Sequence, residues 1–203
     1  MEKNARWVKV NLIIGIFIIV LLSSCSNKNM KNMEKLEKFD IEFYEGNQED
    51  GFCEFWKEDT LVSMFQGDGY YCVQETPKYP KMVCLQKIYN ESTLYLTSKG
   101  NYLKYGGTAI GTWSYYDDDG NFIKEEDKDT GYRIKWEDLL KIFKDKDIPI
   151  SSITSISRYI AENKIAEWVI YLSLSPDLGE TLIFNATTGE LISREKEVIM
   201  KNL

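Results

Sequence analysis

The side chains that could do chemistry are unevenly supplied. There is no histidine among the 203 residues. That removes Ser-His-Asp and Cys-His catalysis, His-ligated zinc and the usual general base near neutral pH. Serine, threonine and lysine form no recognisable nucleophile pattern. There is no Gly-x-Ser-x-Gly, no Ser-x-x-Lys in a supporting context and no phosphate-cradling glycine loop. Gly106-Gly107 reads more simply as a turn. Carboxylates are dense in one place, at Asp117, Asp118 and Asp119, then Glu125, Glu126, Asp127 and Asp129. Such clusters can bind Ca²⁺, but an EF-hand loop with Gly120 at its sixth position puts Tyr115 where an Asp is required. A glycosidase needs two carboxylates about 5–10 Å apart across a cleft, and spacing in sequence does not supply the cleft. The remaining readings are a solvated hairpin tip or an acidic edge that faces a partner. No metal, cofactor or catalytic residue is assigned, and a non-enzymatic binding protein is expected.

Aromatic side chains are the second resource. Trp56, Tyr70, Tyr71, Tyr79, Tyr89, Tyr95, Tyr102, Tyr105, Trp113, Tyr115 and Tyr116 all fall between residues 56 and 116. Tyrosine and tryptophan bury much area at low entropic cost, and they also pave glycan-binding faces. About half of them must point into a core if this region is made of strands. The adjacent pairs Tyr70-Tyr71 and Tyr115-Tyr116 each put one ring outward unless both faces are covered.

The elements that position these groups follow from pattern. From Phe39 to about Ile123, aromatic and β-branched residues cluster between Gly, Asn and Asp. FDIEFYEG alternates, with Phe39, Ile41 and Phe43 on one face of an expected strand. TLVSMF, GYYCVQ, KMVCLQKIY, STLYLTS, NYLKYGG and TAIGTWSYY follow at turn-punctuated intervals, which predicts an antiparallel meander. Asp119-Gly120-Asn121 and Thr188-Gly189 supply hairpin turns. Trp136, Leu139, Leu140 and Phe143 then stand at helical spacing, with acids early and lysines late, and Pro149 ends the segment. This predicts a helix over 135–146. About four strands follow, in ITSISRYI, EWVIYLSLS, TLIFN and ELISREKEV. The expected class is α+β: an antiparallel β-hairpin meander over 39–131, then a small helix-plus-antiparallel-sheet module over 132–203.

Residues 1–24 stand apart. Lys3, Arg6 and Lys9 precede an apolar run from Leu12 to Leu22, too short for a standard spanning helix of ~20 residues. This describes a secretory signal peptide; the alternative is an uncleaved anchor. Leu22-Ser23-Ser24-Cys25 resembles the lipobox of bacterial lipoproteins. The resemblance implies cleavage before Cys25, lipidation of Cys25 and attachment to a membrane of the cell envelope. Ser26 after the cysteine leans that implication toward the outer membrane. Residues 25–38 then form a lipidated tether, for which a short helix is the alternative.

With Cys25 assigned to lipid, Cys53, Cys72 and Cys84 remain. An envelope location permits disulfides. Cys72 and Cys84 sit in neighbouring strand segments across a Pro77…Pro80 turn and would be the candidate pair if those strands bring them face to face. Three buried apolar thiols are the alternative. No Cys-x-x-Cys supports a redox or zinc role.

Two further resemblances are local. Gly111-Thr112-Trp113-Ser114-Tyr115-Tyr116, followed by Asp119-Gly120-Asn121-Phe122-Ile123, resembles the MORN-variant repeat, which implies a β-hairpin. The helix and its following strands, with TLIFNATTGELIS near the end, resemble the small PepSY-type module, which binds or inhibits other proteins. The formal charge of −7 disfavours nucleic acid. Together these point to a lipid-anchored envelope protein that binds a protein partner, with an immunity protein against an interbacterial toxin as the favoured role. A basic secreted toxin would suit its charge. The expected contact surface is Trp113, Tyr115, Asp117, Asp118, Asp119, Glu125 and Glu126. A glycan-binding surface lipoprotein and a carboxylate-based hydrolase are the alternatives.

Overall fold

The structure, a computed structural model, describes residues 36–161 and 165–198. The chain divides after Leu36, and Glu37–Leu203 forms one compact unit, to which everything below belongs. The apolar leader, Cys25 and most of the expected tether lie outside the described residues. Glu37 and Lys38, expected in the tether, are already held on the folded unit. Leu96 N donates to Glu37 O at 3.0 Å, and Phe39 N donates to Leu94 O at 2.8 Å.

The first element corrects the sequence reading. Residues 41–47 form a helix, α1 (Ile41–Asn47), instead of the strand expected from the alternation of Phe39, Ile41 and Phe43. Asp40 caps it, accepting from Phe43 N at 3.1 Å, and Glu42 sits in the first turn, where the helix dipole favours an acid. Phe39, just outside the cap, packs on Tyr44 four residues into the helix, with ring centroids 5.5 Å apart. That contact staples the helix start. Local capping outweighs a three-residue alternation.

Seven strands then form one meander: β1 (Phe52–Lys57), β2 (Thr60–Gly67), β3 (Tyr70–Pro77), β4 (Val83–Asn90), β5 (Leu96–Leu103), β6 (Ala109–Tyr116) and β7 (Phe122–Asp127). Each pairs antiparallel with its sequence neighbour. Next come α2 (Trp136–Asp145), a single 3₁₀ turn at Ile150–Ser152, and β8 (Ile153–Ile160), β9 (Ala166–Ser175), β10 (Leu178–Asn185) and β11 (Leu191–Val198). These last four make a second antiparallel sheet in the order β11-β10-β9-β8. The architecture is α+β, as the sequence predicts.

Strand register assigns the seven-stranded sheet two faces. One face carries Cys53, Val62, Met64, Tyr71, Tyr89 and Leu96, which form a core with Phe39 and Tyr44. Phe39 stacks on Tyr71 with centroids 4.4 Å apart and planes 8° from parallel. A second core joins the two sheets. Met82, Leu103 and Ile110 pack with Trp136, Leu139 and Phe143 of α2 and with Trp168, Ile170, Leu182 and Phe184 of the smaller sheet.

The seam beside this core is polar and fully occupied. Arg158 on β8 donates to Asp129 Oδ1 at 2.7 Å and to the carbonyls of Ala109 and Lys128. Its guanidinium stacks on Tyr132 (4.5 Å) and Trp168 (5.3 Å). Only 7% of the Arg158 side chain and 9% of Asp129 are exposed. The β5–β6 turn closes the outer edge of β8. Ile156 N donates to Tyr105 O at 3.1 Å, and Thr108 Oγ1 donates to Ile156 O at 2.7 Å. Gly106, at φ +91°, is required there, because a Cβ would overlap the Ile156 carbonyl.

Removing one partner of a buried ion pair leaves the other uncompensated. Arg158→Ala is therefore expected to cost about 3 kcal/mol or more of unfolding free energy, read from the urea midpoint. A loss below about 1 kcal/mol would show that the seam holds without the charge.

A second prediction concerns Glu37. Burial pushes its carboxyl up, but hydrogen bonds from Lys87 and Tyr89 outweigh burial and hold it below 4.5. Lys87 Nζ lies 3.0 Å from Glu37 Oε1, and Tyr89 donates to the same oxygen at 2.9 Å. A carboxyl whose folded pKa is depressed contributes stability that is full above its unfolded pKa and is lost as pH falls through the folded value. Glu37→Gln should lower the melting temperature at pH 7 and flatten its fall below pH 4.5. An unchanged acid limb would remove Glu37 from that role.

Candidate interaction surfaces of the meander

The residues expected to form one contact patch are divided by the β6–β7 hairpin. Trp113 is 8% exposed. Its indole lies over Gly100, where a Cβ would overlap the ring, and its Nε1 donates to Asn101 O at 3.0 Å. Tyr115 shares that sheet face, half-buried, with Lys124 and Lys128 over its ring at 5.0 and 5.4 Å. Glu126 is opposite Trp113 and pairs with Lys128 at 2.7 Å and Lys124 at 3.4 Å. Glu125 points to the other face. The three aspartates occupy the connecting turn.

Asp117 is spent on that turn. Its Oδ1 accepts from Asn121 N at 2.8 Å and Asp119 N at 3.0 Å. These hydrogen bonds, Asn121's first, hold the carboxyl below 3.8. Asp118 ties the turn to its neighbour: it accepts from Asn90 Nδ2 at 2.9 Å, and its carbonyl accepts from Thr93 Oγ1 at 2.7 Å. Glu91 N reaches Gly69 O at 3.3 Å, and Glu91 Oε1 accepts from Gln66 Nε2 at 2.6 Å. The β2–β3, β4–β5 and β6–β7 connections are thereby interlocked at one end of the sheet. Residues 48–51, 67–69, 91–95 and 117–121 all lie at that end. They include Glu49, Asp50, Asp68, Glu91 and the three aspartates, and no Lys or Arg. After burial, Glu91 of this end and Glu45 of α1 push the Tyr71 hydroxyl up.

The second surface is the meander face opposite Phe39 and α1. Register arranges its side chains in rows running across the strands, about 7 Å apart, with neighbours in a row about 4.8 Å apart. One row runs Phe52, Phe65, Cys72, Ile88, Ser98 and Tyr115. The next runs Glu54, Ser63, Gln74, Gln86 and Gly100. The third includes Trp56, Leu61 and Thr76, then Cys84, Tyr102 and Ala109. None of these residues belongs to either core. Phe52 and Trp56 are 57% and 59% exposed. Tyr102 is half-buried; burial, then the neighbouring Cys84, pushes its hydroxyl up to about 12.

The same register corrects the disulfide expectation. Cys53, Cys72 and Cys84 are free and buried. Cys72 is opposite Ile88, and Glu75 is opposite Leu85, so Cys84 falls about four residues, or roughly 13 Å, from Cys72 along the strands. A disulfide tolerates a Cα separation of at most about 7 Å. The hairpin forms, but its five-residue connection sets a register that keeps the two thiols apart. Among the described residues, no group of three or more Cys, Asp or Glu side chains is placed to hold a metal ion. No described helix is long and apolar enough to cross a membrane.

No family model, no curated protein and no solved structure matches the chain.

Burial pushes the Cys72 thiol up to about 11 and also raises Cys53 and Cys84. Thiolate is the reactive form. All three thiols should therefore resist iodoacetamide at pH 8 in the native protein, and all three should be alkylated in urea, as read by intact mass. A native Cys72–Cys84 crosslink after non-reducing digestion would contradict the register.

Proposed function

We propose that the protein is a lipid-anchored protein of the cell envelope that binds and neutralises a protein partner. The role that suits it best is immunity against a toxin delivered by a neighbouring cell. The Leu22–Cys25 sequence supports the anchor. The observation that supports binding is the acidic rim, where three interlocked connections hold their aspartates and glutamates with no basic residue of their own, Lys38 of the entering chain lying over the Tyr95 ring at 4.2 Å. Because the loops are tied to one another, the rim does not have to be ordered when a partner arrives, which lowers the cost of association. Residues 1–24 hold three basic residues and one acidic one, so a chain cleaved before Cys25 is more acidic still. A basic partner would be steered to this end of the sheet.

The residues offering charge along this end are Glu49, Asp68 and Asp119. Asp117 and Asp118 are occupied in holding the loops and are poor probes of binding. The test is capture of a stoichiometric partner from lysates of the source and of competing strains, with the full chain in detergent. Glu49→Lys, Asp68→Lys and Asp119→Lys combined should then slow association by about tenfold or more at low salt. The difference should shrink as salt approaches about 0.5 M, where the Debye length is only a few Å. A partner whose association rate ignores the triple variant would remove the rim from recognition.

A further inference from the structure

The outer face of the meander has an unusual charge pattern for a surface open to water. Across β2 to β5 it presents Leu61, Ser63, Phe65 and Gly67, then Tyr70, Cys72, Gln74 and Thr76, then Cys84, Gln86, Ile88 and Asn90, then Ser98, Gly100 and Tyr102. Not one of these positions is charged, in a chain where 28% of residues are. The face packed under α1 is the one that carries Lys87, Glu75 and Lys99. A merely solvated face would show the reverse.

Its polarity is also ordered. The row that starts at Glu54, which accepts from Ser63 Oγ at 2.7 Å, continues as the amides of Gln74 and Gln86 and runs between two rows that hold the rings of Phe65 and Tyr115 on one side and Trp56 and Tyr102 on the other. A dry partner, such as a second sheet stacked on this face, would bury the glutamines without supplying their hydrogen bonds. A charged partner would find nothing of opposite sign at the centre. A ligand that satisfies both kinds of row has apolar C–H faces to lie on rings and hydroxyls to pair with amides. That is the surface chemistry of an uncharged sugar chain.

We propose that the outer face of the seven-stranded sheet binds a neutral polysaccharide chain. The chain lies along the Ser63–Gln74–Gln86 row, and its sugar rings stack on Trp56 and the neighbouring aromatics. This site is distinct from the acidic rim and does not rest on the rim's role. Gln74 and Gln86 donate and accept at sugar hydroxyls, with Gln86 Nε2 exchanging its 3.5 Å contact to Cys72 Sγ for a sugar oxygen, while Trp56, more than half exposed with Lys78 Nζ 5.8 Å from its ring centroid, offers the ring for stacking.

The experiment is titration calorimetry of the full chain in a polyoxyethylene detergent, which contains no sugar. The probes are cellohexaose, maltohexaose and the hexamer of N-acetylglucosamine, with a galacturonate hexamer as the charged control. Saturable binding of at least one neutral hexamer is expected, with a Kd that moves less than about twofold between roughly 0.05 and 0.5 M salt. Trp56→Ala and Gln74→Ala should each weaken it by about tenfold, and Asp119→Lys should leave it unchanged. Both replaced side chains lie outside the cores, so circular dichroism should be unaltered. No binding of any neutral hexamer, preference for the charged one, or binding that survives both substitutions would overturn the proposal. So would a concentration-dependent dimer, seen in sedimentation without sugar and lost in Trp56→Ala, which would give this face to a second copy of the chain.

Discussion

A single guanidinium sets the relation between the two sheets. Arg158 leaves β8 and reaches three separate pieces of chain: the start of β6 at Ala109, the end of the β7 connection at Lys128 and Asp129, and the ring of Tyr132 on the way to α2. Guanidinium is the side chain suited to this, since it offers five donors in a fixed plane and still stacks on aromatics. A lysine would supply a point charge and lose the stacking. The same seam satisfies the outer edge of β8, which would otherwise present unpaired backbone groups to other chains. The β5–β6 turn does this through Tyr105 and Thr108, and Gly106 lets the backbones approach. The meander therefore presents one covered face and one uncovered face within a single compact unit.

That division explains where the charges went. Under α1, Lys87 is flanked by Glu37 and Glu75 at 3.0 and 3.4 Å, and Tyr89 completes the group. These polar groups are tolerable in a half-buried place because each has its partner. They also fasten the chain where it enters the fold at Glu37. On the opposite face no such network exists across the central strands, and the side chains there are neutral amides, hydroxyls and rings. One face is polar because it must clasp an incoming segment. The other is neutral for a reason that the fold itself does not supply.

Much of the architecture was legible because local signals agreed. The helical spacing of Trp136, Leu139 and Phe143, with Pro149 beyond, gave α2 to within a residue at each end. The Asp-Gly-Asn turn gave the β6–β7 hairpin. Two failures have different physical causes. Residues 39–43 alternate like a strand, but a cap and a staple are decided by side-chain contacts that alternation does not weigh. Cys72 and Cys84 looked like cross-strand partners, but register depends on the conformation of the turn, and a displacement of a few residues moves a pair beyond bonding distance. The expected patch is likewise spread by the hairpin. Trp113, Asp117 and Glu126 are close in sequence, yet one is buried, one builds a turn and one is paired with lysines.

The acidic rim shows how a meander turns a scattered pattern into a field. Successive connections alternate between the two ends of the sheet, so an acid in every second turn accumulates at one end. Asp68, Glu91 and Asp117–Asp119 are separated by more than twenty residues at each step, and no local window registers them as a cluster. The intervening connections hold Lys78, Lys81 and Lys104 together with Glu58 and Asp59, and they collect at the other end. Charge is thus segregated along the strand direction, while the rows run across it and are neutral over β2 to β5. An end and a face do not compete for the same ligand. A charged partner at the rim and an uncharged chain on the sheet could be held by one molecule at once, because the two surfaces differ in the physics by which they recognise anything.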